Sequence, residues 1–235
     1  MDKIKVRYSF KLGQDVTETF DMKLDAKTLE LIVDLPDILP VWANLDYHRC
    51  PHCPLDIRSH PHCPLAANLV NILDRFDTLF SYNHTHLIVT TKDRMVSQVT
   101  TVQEAVGSLL GLVIAGSNCP HTVYLRPMAR FHLPLASSQE TIYRAVTTYL
   151  LGQYLLKKEG KEVDFELEGL KEIYQRVHLV NRYIAERLRA AAKTDSLLNA
   201  IVQLDIHAQN LTTGIEDALA ELRGIFLPYI NLTLP

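Results

Sequence analysis

Each of the four cysteines in this 235-residue chain is followed directly by a proline. The pairs are Cys50-Pro51, Cys53-Pro54, Cys63-Pro64 and Cys119-Pro120. Proline makes up about 5% of an average protein, so chance alone rarely produces four such pairs. Proline also stiffens a loop and reduces the entropy that the loop loses when it closes around a metal ion. The four pairs therefore indicate rigid, irregular segments that carry thiols.

The cysteines have the composition of a ligand set for one four-coordinate metal. Cys50 and Cys53 form a C-x-x-C pair whose two thiolates can bind one ion, and Cys63 follows within reach of the same loop. A four-thiolate site must then recruit Cys119 from a distant segment. Zinc is the favoured metal, and an iron–sulfur cluster on the same four cysteines is the alternative. Haem, which a loop thiolate can also bind, is less favoured.

Histidines beside the cysteines are additional candidate ligands, because imidazole is a common ligand of zinc. These candidates are His52, His62, His121 and His132. A different interpretation is that some cysteines are small buried hydrophobic residues and the prolines only shape a loop. The Cys-Pro-His-Cys segment is also similar to the active-site motif of periplasmic disulfide oxidases. In that family the first cysteine opens a helix, which Pro54 disfavours here.

Composition excludes several classes of partner. The net charge is −3, and the basic residues are dispersed along the chain. A nucleic-acid interface needs a concentrated basic face, so we expect no nucleic-acid partner. No apolar run approaches the roughly 20 residues of a membrane span, and the first ten residues have no apolar signal core. We therefore expect a cytoplasmic protein, where clustered cysteines favour metal or redox chemistry over disulfides.

Alternating apolar residues predict an N-terminal antiparallel sheet. Residues 3–10 and 16–24 alternate between apolar and polar side chains, and the intervening Gly13-Gln14-Asp15 predicts the turn of a hairpin. Residues 28–33 are predicted to form a third strand. Residues 86–91 are predicted to form a further strand, which could continue to residue 100 through a bend.

Apolar residues at helical spacing predict the remaining elements of the first half. Residues 64–80 are predicted to form a helix with Pro64 in its first turn, which places Cys63 at or near the N-cap. The helix dipole at that position stabilises a thiolate. Residues 102–117 are predicted to form a mostly apolar, buried helix that ends just before Cys119.

The second half of the chain is predicted to be helical. Ser137 and Glu140 have the spacing of a capping box for a helix that ends near residue 158. Residues 170–191 and 197–225 then carry apolar residues at heptad spacing, which predicts an antiparallel helical hairpin. The same pattern fits the core of a bundle or the seam of a homodimer. Asn181 lies on this seam.

The predicted fold class is α+β. An N-terminal antiparallel sheet with helices and a cysteine loop occupies residues 1–135, and an α-helical hairpin or bundle occupies residues 136–235. The two parts could equally be one continuous domain, because no flexible linker separates them.

A second group of polar residues lies between residues 121 and 144. Arg126, Arg130 and Arg144 could bind an anion through their forked donors, and His132 could act as an acid–base group. Together with Glu140 they define an alternative function, an enzyme with a pocket built from this segment. The other interpretation is that the arginines pair with carboxylates and that His132 is a packed core residue. A glycine-rich phosphate loop, a G-x-S-x-G elbow and an H-E-x-x-H helix are absent from the sequence.

The cysteine loop, the segment CPHTVYLRPMARFHLP at residues 119–134 and the segment ETIYR at residues 140–144 together resemble a family of uncharacterised bacterial proteins. The resemblance extends over most of the chain. It implies no mechanism, because the family has no assigned activity.

The sequence therefore predicts a metal- or cluster-binding protein with a site made from Cys50, Cys53, Cys63 and Cys119. The role of the site would be structural, or it would serve sensing or binding. The alternatives are the enzyme, the iron–sulfur protein and a dimeric interaction module that uses the heptad helices. The small-molecule ligand, if there is one, is not indicated by the sequence.

Overall fold

The computed structural model of the chain describes residues 2–12, 16–76 and 79–231. Four strands form one antiparallel sheet in the order β2-β1-β3-β4. The strands are β1 (Lys3–Leu12), β2 (Val16–Asp25), β3 (His84–Thr90) and β4 (Met95–Thr101). The predicted antiparallel sheet is therefore confirmed, and the segment after β3 turns back as a hairpin strand.

The alternation of β1 explains why one face of the sheet is buried. Val6, Tyr8 and Phe10 point into the core with exposed fractions of 2% or less. The residues between them face the other side of the sheet, as the two-residue period of a strand requires. β1 pairs with β2 from Lys3↔Asp25 to Leu12↔Val16, so these strands form the predicted hairpin. The predicted turn at 13–15 lies outside the described residues.

The third strand predicted over residues 28–33 is wrong. Only one isolated bridge, between Leu24 and Leu31, occurs in this segment. The carboxylate of Asp25 accepts hydrogen bonds from two backbone N–H groups just after β2, those of Lys27 and Thr28. Leu29 then takes a left-handed conformation with φ of 59°. This local turn redirects the chain before a strand can form.

The described residues contain eight α-helices, of which the first lies between β2 and β3 in the chain and the others follow β4. They are α1 (Pro64–Phe76), α2 (Val102–Gly116), α3 (Arg126–Arg130), α4 (Ser138–Lys158), α5 (Glu168–Ala191), α6 (Ser196–Thr213), α7 (Ile215–Leu222) and α8 (Leu227–Ile230). Short 3₁₀ turns lie at residues 41–43, 123–125 and 223–226. None of the helices in the described part of the chain is both long and apolar enough to cross a membrane.

Two capping boxes fix the starts of α2 and α4. Thr101 and Glu104 exchange side-chain to backbone hydrogen bonds at the start of α2. Ser137 and Glu140 do the same at the start of α4, as their spacing predicts. Each box satisfies backbone donors that the first turn of a helix otherwise leaves without partners.

The heptad pattern predicts the helical hairpin correctly but misses one break. α5 packs against α6 across the short connection at residues 192–195, near the predicted junction. The second helix does not run unbroken to residue 225. It stops at Gly214, and α7 starts at the next residue. Glycine has the lowest helix propensity of any residue except proline, which favours a break at this position.

The layers of the molecule are the sheet, α2 and the α5–α6 hairpin. α2 packs against β3 and β4 and also against α6. The largest cluster of buried apolar side chains combines the strands, α1 and α2 with residues 180–201 of the hairpin. A smaller cluster joins α4, the first half of α5 and the end of α6. The α+β fold class is thus confirmed.

Gly116, the last residue of α2, is packed too closely to carry a larger side chain. A Cβ there would lie 2.9 Å from Cδ2 of Leu24 and 3.3 Å from Cβ of Leu31. The Gly116 carbonyl also accepts a hydrogen bond from the backbone N–H of Leu31, at 2.8 Å. This contact ties the segment after β2 to the end of α2.

We predict that Gly116→Ala lowers the free energy of unfolding by about 1–3 kcal/mol, because the added methyl group overpacks this contact. Urea denaturation followed by circular dichroism measures the change. Gly152→Ala is the matched control, since a Cβ at Gly152 meets no atom within 4 Å. In that exposed helix interior alanine should stabilise by about 0.5–1 kcal/mol. Equal stability of the two variants would contradict the prediction.

Candidate functional site

The first cysteine pair lies in a tight turn. The backbone N–H of Cys53 donates to the carbonyl of Cys50 at 3.1 Å, which closes the Cys50-Pro51-His52-Cys53 segment as a four-residue turn. Proline is well suited to the second position of such a turn, because its fixed φ matches that position. The turn holds the two cysteines at its two ends.

The fourth cysteine opens a second turn of the same kind. In the Cys119-Pro120-His121-Thr122 segment, the backbone N–H of Thr122 donates to the carbonyl of Cys119, also at 3.1 Å. The side-chain hydroxyl of Thr122 donates to the same carbonyl at 3.3 Å. The chain thus repeats one Cys-Pro-His turn in two distant segments.

The two turns face each other through their histidines. The ring centroids of His52 and His121 lie 4.0 Å apart, and their planes differ by 33°. Nε2 of His121 donates to the carbonyl of His52 at 2.9 Å. Because a carbonyl can only accept, Nε2 carries the proton when the ring is neutral, and Nδ1 then keeps its lone pair. The segment that contains Cys119 therefore contacts the cysteine loop directly.

Cys63 is held at the start of α1 by backbone hydrogen bonds. Its N–H donates to the carbonyl of Ala43 at 2.8 Å, and its carbonyl accepts from Ala67 at 2.9 Å as the first helical bond of α1. His62, a predicted additional ligand, forms a bridge with Asn44 in the same strip of backbone. The predicted position of Cys63 at the helix N-terminus is confirmed, where the helix dipole favours a thiolate.

The four thiols share one electrostatic environment. Burial, with smaller contributions from the neighbouring thiolates of Cys63, Cys119 and Cys53, raises the pKa of Cys50 to about 12. Burial also raises the pKa of Cys119, to about 11, with contributions from the charges of Cys63 and Cys53. All four cysteines are free thiols. These influences agree with the contact between His52 and His121, which joins the segment of Cys119 to the cysteine loop.

The side chains do not form a closed ligand set as they stand. Within residues 2–12, 16–76 and 79–231, no three His, Cys, Asp or Glu side chains make a group that could hold a metal ion. Among these residues, the structure therefore shows no metal-ligand geometry at the cysteines.

A buried arginine that the sequence analysis missed lies beside this neighbourhood. Arg187 of α5 is only 2% exposed. It donates to the carbonyls of Trp42, Asn44 and Leu45, at 2.7, 2.7 and 3.2 Å. These carbonyls belong to the strip of backbone that pairs with residues 61–63. No motif marks this arginine in the sequence, although its position three residues after a core isoleucine, Ile184, places it on the buried side of the helix.

Arg187 also places a positive charge near the thiols. Burial raises the pKa of the Cys50 thiol, and the charge of Arg187 opposes that increase. Across the described part of the chain, Arg187 has no ion pair with a carboxylate. A buried cation is costly without an opposite charge, so an anionic group nearby would stabilise it.

The structure does not bring the three predicted anion-binding arginines together. Arg126 pairs with Glu30 at 3.2 Å and with Asn118 at 2.9 Å. Arg130 is exposed, and its guanidinium lies 5.4 Å from the ring centroid of Phe131. Only Arg144 lines a cavity, which also receives His132.

His132 packs against the sheet instead of joining the cysteine histidines. Its Nε2 makes a short hydrogen bond with the hydroxyl of Tyr8, which itself donates to the carbonyl of Ser108 at 3.0 Å. Because the Ser108 carbonyl accepts the tyrosine proton, Nε2–H of His132 is the donor to Tyr8. Glu140 is engaged in the capping box of α4, where it accepts from the Ser137 N–H at 2.8 Å.

The model of a family described as a domain of unknown function (DUF6901) matches residues 4–227 of the chain. The chain therefore belongs to this family, and the predicted resemblance to an uncharacterised family is confirmed. No curated protein and no solved structure matches the chain significantly. Function must accordingly be inferred from the residues of the site.

We predict that Arg187→Met lowers the free energy of unfolding by roughly 3 kcal/mol or more, because buried carbonyls lose their donor. Arg187→Lys should be intermediate, since a single ammonium cannot span all of these carbonyls. Urea denaturation measures both. The control is Arg182→Met on the same helix, where the residue is exposed and the change should stay within about 0.5 kcal/mol. If Arg187→Met proved as stable as Arg182→Met, a structural role for Arg187 would have to be abandoned.

The lowered pKa of the buried His132 side chain predicts that the protein loses stability in acid. Burial, together with the charge of Arg144, lowers its pKa to about 3. The unfolded histidine titrates near 6.5, so between these values the unfolded chain binds the extra proton and stability falls as the pH falls. Between pH 7 and pH 5, the wild type should lose about 2 kcal/mol more than His132→Gln.

Urea denaturation at the two pH values tests this difference. His60→Gln is the control, because His60 is exposed and its replacement should leave the acid sensitivity of the wild type in place. Identical pH dependence in the wild type and in His132→Gln would show that His132 is not the group responsible.

Proposed function

We propose that the protein binds one metal ion through Cys50, Cys53, Cys63 and Cys119, with zinc as the favoured metal. The observation that supports this proposal most directly is the contact between the two Cys-Pro-His turns. It joins the segment that carries Cys119 to the distant segment that carries Cys50 and Cys53. Four thiolates are a standard ligand set for zinc in structural sites.

The chemistry of the neighbourhood fits a metal better than it fits four buried thiols. Burial holds the pKa of Cys50 and Cys119 far above neutrality, so without a metal both remain protonated. A metal ion supplies the positive charge that deprotonates coordinating thiols outright. Zn²⁺ with four thiolates carries a net charge of about −2, which would provide the anionic neighbour that Arg187 lacks among the described residues.

The proposal assumes that the cysteine side chains rotate when the metal binds. Cysteine has a single rotatable bond that moves its sulfur, and the backbone around each of the four is already set by turn, bridge or helix hydrogen bonds. In this proposal, rotation of the thiols toward a common centre closes the site. His121 offers Nδ1 as a further donor if one thiolate is replaced.

The proposed role of the metal is to brace the cysteine loop against the core. The second role proposed for the same site is to sense or bind the metal. An iron–sulfur cluster is the alternative group for the same four ligands. Cluster and zinc are distinguished by colour, because iron–sulfur proteins absorb broadly in the visible range and zinc proteins do not.

We predict about one zinc per chain when the protein is purified without chelators under anaerobic conditions, as measured by inductively coupled plasma mass spectrometry. Replacement of any one of the four cysteines by serine should weaken zinc retention strongly, and Cys119→Ser should do so as much as Cys53→Ser. Compared with the zinc-free protein, a free zinc concentration of about a thousand times the Kd should raise the free energy of unfolding by about 4 kcal/mol.

His60→Ala is the matched control for this experiment, because His60 is an exposed residue of the same loop and should retain zinc. Absence of zinc, iron and copper at near-stoichiometric levels would refute the metal proposal. Retention of zinc in Cys119→Ser but not in the three loop variants would leave a three-cysteine site and make His121 the fourth ligand to test.

A further inference from the structure

A second site lies away from the cysteines, in a cavity of about 550 Å³. α2, α3, the start of α4, α5 and α6 supply its walls, and most of the lining is apolar. Ile114, Leu125, Met128, Val177 and Leu204 are among the apolar residues of the wall. The volume is within the range of about 300–1,000 Å³ that is typical of small-molecule sites.

Small residues on α2 keep this volume open. Gly107, Gly111 and Ala115 follow one another at four-residue intervals, so they lie on one face of the helix, and all three line the cavity. A Cβ at Gly111 would meet no heavy atom within 4 Å, and one at Gly107 would meet only the Ala200 carbonyl, at 4.0 Å. Packing within the protein therefore does not require glycine at these positions. Glycine nevertheless weakens the interior of a helix, so both glycines preserve space that the protein itself does not fill.

One residue of the cavity wall carries a buried polar atom without a partner. Asn181 is 1% exposed and lines the cavity, and its Oδ1 has no hydrogen-bond partner among the described residues. Buried polar atoms are rarely left unpaired, so each such atom in a native structure needs an explanation. The hydroxyl of Tyr174, another lining residue, contacts only a weak acceptor, the Met128 sulfur at 3.8 Å. Burial raises the pKa of Tyr174, so this hydroxyl is a neutral donor.

The cavity also contains the positive charge of Arg144. Glu140, a carboxylate that acts on this charge electrostatically, does not line the cavity and is held in the cap of α4. Arg144 makes no ion pair among the described residues, and its Nη2 donates to the carbonyls of Met128 and Phe131 at 2.8 and 3.2 Å. Guanidinium stays charged in proteins. His132 and His207, which also line the cavity, are neutral, because burial lowers the pKa of both.

Glu104 is the one carboxylate among the lining residues, and it is committed elsewhere. It accepts hydrogen bonds from the Thr100 hydroxyl and from the Thr101 N–H as part of the cap of α2. The cap therefore already uses the negative charge of Glu104. The positive charge of Arg144 therefore has no ion pair with a carboxylate that lines the cavity.

We propose that this cavity binds a small molecule with an apolar body and one carboxylate, which pairs with Arg144. The apolar body occupies the space beside Gly107 and Gly111. Oδ1 of Asn181 accepts a hydrogen bond from a hydroxyl or amide of the natural ligand, and the Tyr174 hydroxyl donates to it. The cavity does not include the cysteines, so a test of this proposal does not decide the metal proposal.

Decanoate is the probe, and its binding to the full chain is measured by isothermal titration calorimetry beside 1-decanol and decylamine. We expect decanoate to bind at least tenfold more tightly than decylamine, because only decanoate complements the guanidinium. Arg144→Met should weaken decanoate binding at least tenfold and leave decanol binding unchanged. Arg144→Lys, which keeps the charge, should retain the preference for decanoate over decylamine.

A cavity-filling variant keeps the test valid if Arg144→Met folds poorly. Gly111→Leu should abolish binding of decanoate and decanol alike, since the new side chain fills the space. Gly152→Leu is the matched control, because Gly152 also has free space for a Cβ but does not line the cavity. The proposal is overturned if decanoate fails to bind the wild type, if Gly111→Leu binds it as well as Gly152→Leu does, or if decylamine binds as tightly as decanoate.

Discussion

The burial of α2 between the sheet and the helical hairpin is the constraint on which both candidate sites depend. Eleven of its residues are buried, as expected of a helix that is apolar on every side. The helix is capped by Thr101 and Glu104, and it ends at Gly116 in contact with the segment after β2. Cys119 follows three residues later, so the fixed end of α2 sets where the fourth thiol can lie. One face of the same helix forms a wall of the cavity.

Local patterns account for the parts of the fold that the sequence predicts correctly. Alternation in residues 3–10 and 16–24, and the capping-box spacing of Ser137 and Glu140, involve neighbours in the chain, so they can be interpreted without tertiary information. Residues 28–33 have strand propensity, but the predicted strand does not form. The Asp25 carboxylate accepts hydrogen bonds from the N–H groups that follow β2, and the turn that results overrides this propensity. Side-chain capture of this kind competes with strand formation and leaves little trace in hydrophobic patterning.

The candidate site is only partly visible in the sequence for a different reason. The C-x-x-C pair and the repeated Cys-Pro-His segments are local, so they can be found in the sequence without tertiary information. The contact between His52 and His121 joins the segment of Cys119 to the loop, and no spacing rule connects these two segments. Arg187 and the cavity are harder still. Arg187 is one arginine among many, and the cavity depends on the missing side chains of Gly107 and Gly111 on α2.

A metal in the cysteine loop would act on the loop more than on the fold. The largest apolar core draws on the sheet, α1, α2 and the hairpin, while Cys50 and Cys63 pack only against its edge. A chain of this size can bury enough apolar surface to fold without a metal. Besides the bridge between Asn44 and His62, the loop is held by short turns, by Arg49, which donates to the carbonyls of Cys53 and Leu55, and by the hydrogen bonds of Arg187 to the backbone before it. Coordination would add its free energy in this loop, at the edge of the core, which is the physical reason for proposing a bracing role.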